Sequence, residues 1–207
     1  MSRGLWITIE GGDGSGKTTQ SALLERWLAG QGRTVLRTRE PGGSEVGNLI
    51  REIVLHHRGD IVPRAEALLY AADRAQHVAT VVAPALARGE VVLQDRYLDS
   101  SVAYQGAGRV LDPGEIRALS LWATEGALPD LTILLDVDAA SARTRLDAAD
   151  KPFDRLEAER ADFHERVRAG YLALAKAEPE RFLVVDGAGS IEQIAAEIVD
   201  RVQAHLS

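Results

Sequence analysis

The sequence predicts a single α/β domain built on a largely parallel sheet. Three observations carry this. Short apolar, β-prone runs alternate with helix-periodic segments along all 207 residues, the pattern of strands joined by crossover helices. No internal repeat, low-complexity tract or linker divides the chain, so residues 1–207 read as one unit, large enough to bury a sizeable core. The first strand and helix are joined by Gly11-Gly12-Asp13-Gly14-Ser15-Gly16-Lys17-Thr18, a G-x-x-x-x-G-K-T loop in a strand–loop–helix setting.

In order, residues 5–10 are the first strand. Residues 17–31 are an amphipathic helix with Leu23, Leu24, Trp27 and Leu28 on one face and Gly32 as its stop. Residues 34–39 are the second strand, and Pro41-Gly42-Gly43 turns the chain into a helix over 44–55. Residues 63–88 read as one long helix, with Pro63 suited to its first turn and Pro84 kinking it. Residues 91–94 are a short buried strand ending at Asp95, and 99–109 have the composition of a loop and helix start. Asp112-Pro113-Gly114-Glu115 opens another helix by capping box. A strand over 131–137, a helix over 139–146, a polar loop over 147–154 and a helix over 156–176 follow. Residues 182–186 are the last strand, and Ser190-Ile191-Glu192-Gln193 caps the last helix.

Bulk composition narrows the function. Net charge is −7, which disfavours nonspecific nucleic-acid binding. No apolar run is long enough to span a membrane and the start lacks a signal-peptide layout, so no membrane partner is expected. The absence of cysteine excludes disulfides and thiolate metal sites, and fits a cytoplasmic location. Lysine occurs only at 17, 151 and 176, one of them the position where a compact charge suits a phosphate.

The glycine loop is the strongest chemical signal. Gly11, Gly12, Asp13, Gly14, Ser15 and Gly16 form a nest of backbone N–H groups at a helix N-terminus, which attracts phosphate oxygens. Lys17 is expected to reach the β- and γ-phosphates of ATP, with Thr18 ligating Mg²⁺ and Thr19 completing the nucleotide site. In open parallel sheets ligands bind beyond the carboxyl ends of the strands. Those ends carry Arg39 and Glu40, Asp95 and Arg96, and Asp186. Asp95 ends a buried strand as a second Mg²⁺ ligand would. It is followed by Arg96, not by the glutamate that would polarise water, which points to transfer rather than hydrolysis. Tyr70 and Arg74, four residues apart, share a helix face that could stack on and hydrogen-bond a base. Arg143, Arg145, Lys151 and Arg155 surround a polar segment, about 143–157, with the charge a closing lid needs. The P-loop itself carries Asp13 and no extra cation, so charge on the transferring group must be met from elsewhere.

These stretches together resemble the thymidylate kinase family. The carriers are residues 9–20, Thr38-Arg39-Glu40-Pro41-Gly42-Gly43, Tyr70-Ala71-Ala72-Asp73-Arg74, residues 95–106, and Asp154-Arg155-Leu156-Glu157 followed by Phe163-His164-Glu165-Arg166-Val167 and Gly170-Tyr171. The block over 95–106 is the most specific. The resemblance implies the P-loop nucleoside monophosphate kinase fold, with a five-stranded parallel sheet flanked by helices, and a homodimer. It implies transfer of the γ-phosphoryl of ATP to dTMP, giving dTDP and ADP, with Mg²⁺. It assigns Arg39, Arg74 and Arg96 to dTMP, with Arg39 and Arg96 nearest its phosphate and Glu40 beside them. Tyr70 would stack on thymine, Ser101 and Gln105 would address the base, Tyr104 would crowd the 2′ position, and Asp13 would sit near the acceptor. Lys17, Arg96, Arg155 and Arg145 are the expected catalytic cations, Arg155 and Arg145 ranking above Arg143 and Lys151. Two other readings use the same residues. One is a kinase of another nucleoside monophosphate or of a deoxynucleoside. The other is a P-loop nucleotide switch, although the guanine-reading Asn-Lys-x-Asp pattern is absent, since Asn48 is the only asparagine.

Overall fold

A computed structural model describes residues 3–148 and 153–206. Asp150, Lys151 and Pro152, part of the expected lid, lie outside the described residues. Five strands, β1 (Trp6–Glu10), β2 (Val35–Arg39), β3 (Val91–Asp95), β4 (Leu131–Asp136) and β5 (Phe182–Asp186), form one sheet in the order β2-β3-β1-β4-β5. Every pairing is parallel. β1 is central, so the loop that follows it opens between the carboxyl ends of β3 and β4.

Strand alternation divides the interior into two layers. Ile7, Ile9, Leu93, Ile133 and Val185 face α1 (Lys17–Gly30) and α9 (Ile191–Leu206), burying Leu24, Leu28, Ile194, Ile198 and Val202. On the opposite face Trp6 and Val92 pack with the helix that starts at α3 (Pro63–His77). There too, Leu134 and Phe182 pack with α8 (Ala161–Ala177) through Phe163, Val167 and Tyr171. That second face also carries Thr8 and Glu10, both fully buried, and it is the face on which the polar chemistry assembles.

The expected strands and most helices are present within a residue or two, including α2 (Glu45–His56), α6 (Pro113–Ala123) and α7 (Ala139–Ala148). Ser44 caps α2 through the Gly47 N–H, and Asp112 caps α6 through the Glu115 N–H. Ser190 and Gln193 exchange side-chain and backbone bonds at the start of α9.

Three expectations change. The helix from Pro63 is not uniform: α3 passes through a wide π turn over Val78–Val82 into α4 (Ala83–Ala87). Pro84 has no N–H to give the preceding turn, and Ala83 reaches back five residues to the Val78 carbonyl instead. The loop-like segment 99–109 is helical, α5 (Leu98–Ser101) continuing as a π segment over Val102–Gly108. Its small residues serve close packing rather than a turn. A Cβ on Gly108 would stand 2.7 Å from the Phe163 ring of α8, and one on Gly170 would stand 3.0 Å from Ala107. Finally, α8 begins at Ala161, not at 156. Asp154 and Glu157 close a separate turn: the Asp154 carboxylate accepts the N–H groups of Leu156 and Glu157, and Glu157 accepts that of Asp154.

Candidate active site

The P-loop bends where its glycines allow. Gly11, Gly14 and Gly16 have φ of 138°, 80° and 97°, a region costly for side-chain-bearing residues. Gly14 is also short of room, because a Cβ there would meet the Ala142 carbonyl at 2.5 Å. The Lys17 ammonium donates to the Gly11 and Gly12 carbonyls at 3.0 and 2.8 Å. Burial and the neighbouring Arg96 lower its pKa to about 8, opposed by Asp95, Asp13 and Glu10. Asp13, Gly14, Gly16, Lys17, Thr18 and Thr19 line a cleft of about 640 Å³. Gly11 and Gly12 line a smaller recess, and the buried Ser15 hydroxyl has no hydrogen-bond partner among the described residues.

Arg96 stands at the middle of that cleft. It follows β3 directly and has φ of 66°, unusual for a residue with a side chain and a strain of about 1–3 kcal/mol. The fold over-determines it. Its N–H bonds the Ile9 carbonyl at 3.1 Å, and its carbonyl accepts from Gln94 at 2.9 Å, while Gln94 is held by the Trp6 indole. The guanidinium donates to Asp13 at 2.6 Å and Tyr104 at 3.1 Å, and to Ser100 and Tyr171 at 3.3 Å each. Tyr104 donates to the second Asp13 oxygen at 2.8 Å. Burial alone would raise the Asp13 pKa, but Arg96 and Lys17 outweigh it and hold the carboxyl well below the usual range. Beneath this cluster Glu10 accepts from Ser100, Tyr171 and the Tyr97 N–H. Burial and Asp99 push Glu10 up to about 7.

The far end of the cleft is lined by Arg39, Glu40, Arg51, Tyr70, Arg74, Ser101, Tyr104 and Gln105. All the expected acceptor residues, Asp13 and Arg96 included, therefore line this one cleft. Their availability differs. Arg74 is buried and gives four N–H bonds to protein, to Glu40, Ser120, Tyr97 and Ser101. Both Glu40 oxygens are engaged, by Arg74 at 2.9 Å and His77 at 3.0 Å. Arg39 is exposed, whereas Arg51 bonds the Pro41 carbonyl. Arg51, Ser100, Tyr171 and Gln94 were not among the residues expected from sequence. Arg51 looks like any surface arginine of a helix, and Tyr171, although part of the stretch that carries the family resemblance, falls on the apolar stripe of α8, so neither was marked as a site residue.

The lid cations separate. Arg145 lines the cleft and donates to the Gly187 carbonyl at 2.8 Å. Arg143 lies over the Phe153 ring and pairs with Asp147. Arg155, expected first among the catalytic lid residues, is not in the cleft wall. It bonds the Val54 carbonyl and pairs with buried Glu66. The turn closed by Asp154 and Glu157 points Arg155 toward α2 and α3, while Asp154, Leu156 and Glu157 line the cleft.

Thr18 and Asp95 are residues that would hold a magnesium ion. The Asp95 Oδ1 is buried without a hydrogen-bond partner among the described residues, and Thr18 lines the same cleft. No cluster of three acidic or histidine ligands occurs among the described residues.

With this geometry in place, similarity to known proteins is extensive. A family model described as thymidylate kinase matches residues 9–198. The thymidylate kinase of Clavibacter michiganensis subsp. michiganensis is 74% identical over 204 residues, covering 99% of this chain and 97% of that protein. That of Leifsonia xyli subsp. xyli is 73% identical, covering 98% and 96%. Among solved structures, thymidylate kinase from Ehrlichia chaffeensis matches with a TM-score of 0.78 at 31% identity, covering 97% of this chain and 99% of that one.

Proposed function

The chain belongs to the thymidylate kinase family and transfers the γ-phosphoryl group of ATP to dTMP, giving dTDP and ADP; from that premise we propose how its residues divide the work. The observation that carries the proposal is the continuous cleft, with P-loop residues at one end, base-sized apolar and amide groups at the other, and Arg96 between. The acceptor phosphate of dTMP is already an anionic nucleophile at neutral pH, so no strong general base is needed. Alignment, charge neutralisation and exclusion of water suffice.

Lys17 exchanges the Gly11 and Gly12 carbonyls for phosphate oxygens of ATP, and its fall in pKa reverses as that negative charge arrives. Arg96, aimed by Asp13, Tyr104, Ser100 and Tyr171, bridges acceptor and transferring phosphates. Arg39 and Arg51 neutralise the acceptor phosphate from the β2 side. Tyr70 stacks on thymine, and Gln105 and the remaining Arg74 N–H read its edge. Ser101 and Glu40 hold Arg74 in place. Tyr104 crowds the 2′ position. Arg145 is the lid cation that reaches the transferring group, and residues 186–190, tied to Arg145 and, through the Ile191 carbonyl, to Gln20 of α1, border the adenine. Mg²⁺, held by Thr18 and Asp95, supplies charge neutralisation at the β- and γ-phosphates when bound. The protein works as a cytoplasmic homodimer.

A coupled ADP-release assay offering dTMP, dUMP, dCMP, AMP, GMP and the ribose form of TMP tests the acceptor pocket. The expected result is preference for dTMP and discrimination against the ribose form that Tyr104→Ala relaxes. Equal use of ribose and deoxyribose acceptors removes Tyr104 from the sugar site.

A further inference from the structure

Glu66 has no place in the division of labour above, yet it is fully buried on α3 and stands behind the base end of the cleft. Its Oε1 accepts from the Gln105 amide at 2.8 Å and from Arg109 at 3.3 Å. Its Oε2 accepts from Arg109 at 3.2 Å and from Arg155. Each oxygen therefore takes two donors, the capacity of an ionised carboxylate. Burial opposes ionisation, but the bonds from Gln105 and Arg109 and the charge of Arg155 outweigh it and hold the carboxyl below its usual range.

An ionised carboxylate can only accept, and this settles which way the Gln105 amide faces. Its NH₂ must point at Glu66, because the reverse would set carbonyl oxygen against carboxylate oxygen. Gln105 lines the cleft, and its Oε1 has no hydrogen-bond partner among the described residues, so an acceptor is what the amide can offer a base. A base with an N–H at that edge, as in the imide of thymine or uracil, completes the bond. The N3 of cytosine carries a lone pair there and meets a second acceptor.

We propose that Glu66 is a positioning residue for base choice: it locks the Gln105 amide with its carbonyl toward the acceptor base, selecting imide bases over cytosine. The same carboxylate seats Arg155, so the residue that sets base choice also anchors the segment entering the lid. The inference rests on the reading of Gln105 as a base-facing residue.

Glu66→Gln tests it. A neutral amide at 66 can donate to Gln105, freeing that side chain to turn its NH₂ toward the cleft. The expected result is that the ratio of kcat/KM for dTMP over dCMP falls about tenfold or more, while the ratio for dTMP over dUMP, which differ only by the methyl group, does not move. KM for ATP is likewise unchanged. A folded variant that loses activity uniformly on every acceptor, or keeps the dTMP-to-dCMP ratio, overturns the proposal. Should Glu66→Gln fail to fold, Glu66→Asp keeps the charge that Arg109 and Arg155 neutralise and withdraws the oxygen from Gln105. The same fall in ratio is expected, and an unchanged ratio again overturns it. Gln105→Leu separates the two layers. If Gln105→Leu lowers dTMP selectivity while both Glu66 variants keep it, only the role of Glu66 is lost. If Gln105→Leu changes nothing, the base-facing role of Gln105 falls, and with it that of Glu66.

Discussion

Arg96 concentrates several levels of the structure in one residue. Its left-handed backbone is a local cost, sustained by its N–H bond to the Ile9 carbonyl and by the bond its own carbonyl accepts from Gln94. Its side chain is divided between Asp13 and a shelf of hydroxyls on Ser100, Tyr104 and Tyr171. The planar fork of a guanidinium spreads its donors over three nitrogens, so it can serve Asp13, Tyr104 and a phosphate at separate points, whereas a lysine ammonium gathers its donors on one atom. Arg96→Lys is therefore expected to keep the fold and the net charge while lowering kcat about 10²–10³-fold, the scale of losing a charge-stabilising group. Steady-state kinetics alongside a thermal melt decide it, and a kcat within a few-fold of the parent protein removes Arg96 from the reacting centre. Sequence alone located this residue by its place after an apolar strand. The Tyr171 part of the hydroxyl shelf was not legible, since that hydroxyl reaches Arg96 only because α8 brings it there, 75 residues along the chain.

At the scale of elements, legibility tracked how local the deciding interaction is. The starts of α6 and α9 are written in consecutive residues: Ser190 and Gln193 form both halves of the capping box read for α9, and Asp112 caps α6 as read. The segment 98–108 misled because serine, glycine and glutamine have loop-like local preferences. Its helix is imposed from outside by α8, whose Phe163 and Gly170 require small residues opposite. The lid misled in another way. Arg143, Arg145 and Arg155 look alike in sequence, but their directions depend on where α7 ends and how the 154–157 turn closes. Arg145 faces the cleft, whereas Arg155 is held by Val54 and Glu66. Arg145→Ala is accordingly expected to lower kcat by about tenfold or more with little change in KM for dTMP. Arg155→Ala should cost less in kcat and act through the seating of the lid. Measured side by side, a larger kcat loss for Arg155→Ala would return that residue to the reacting group and imply that the lid rotates on closure.

For the whole molecule, the telling feature is a helix with apolar residues on two sides. On α2, Gly47, Ile50, Val54 and Leu55 are buried, while Val46, Leu49 and Ile53 are exposed at 47%, 67% and 45%. The second set repeats at i, i+3 and i+7, a stripe along one face. Leu68 adds a fourth exposed apolar side chain on α3, the helix on which α2 packs. An exposed apolar stripe of this kind suits a second partner, and in the proposed homodimer a symmetric pair of copies would bury both stripes at once. α2 also carries Arg51 into the acceptor end of the cleft and supplies the Val54 carbonyl that holds Arg155. The partner would thus brace the helix that carries Arg51. Leu49→Asp places a charge in the stripe without touching the buried side of α2. The expected outcome is a monomer by sedimentation, with a raised KM for dTMP and an unchanged KM for ATP, because the P-loop sits on β1 and α1, away from this face. A variant that sediments as the parent protein does would place the dimer interface elsewhere. A monomer with unaltered dTMP kinetics would leave the interface in place but uncouple it from Arg51.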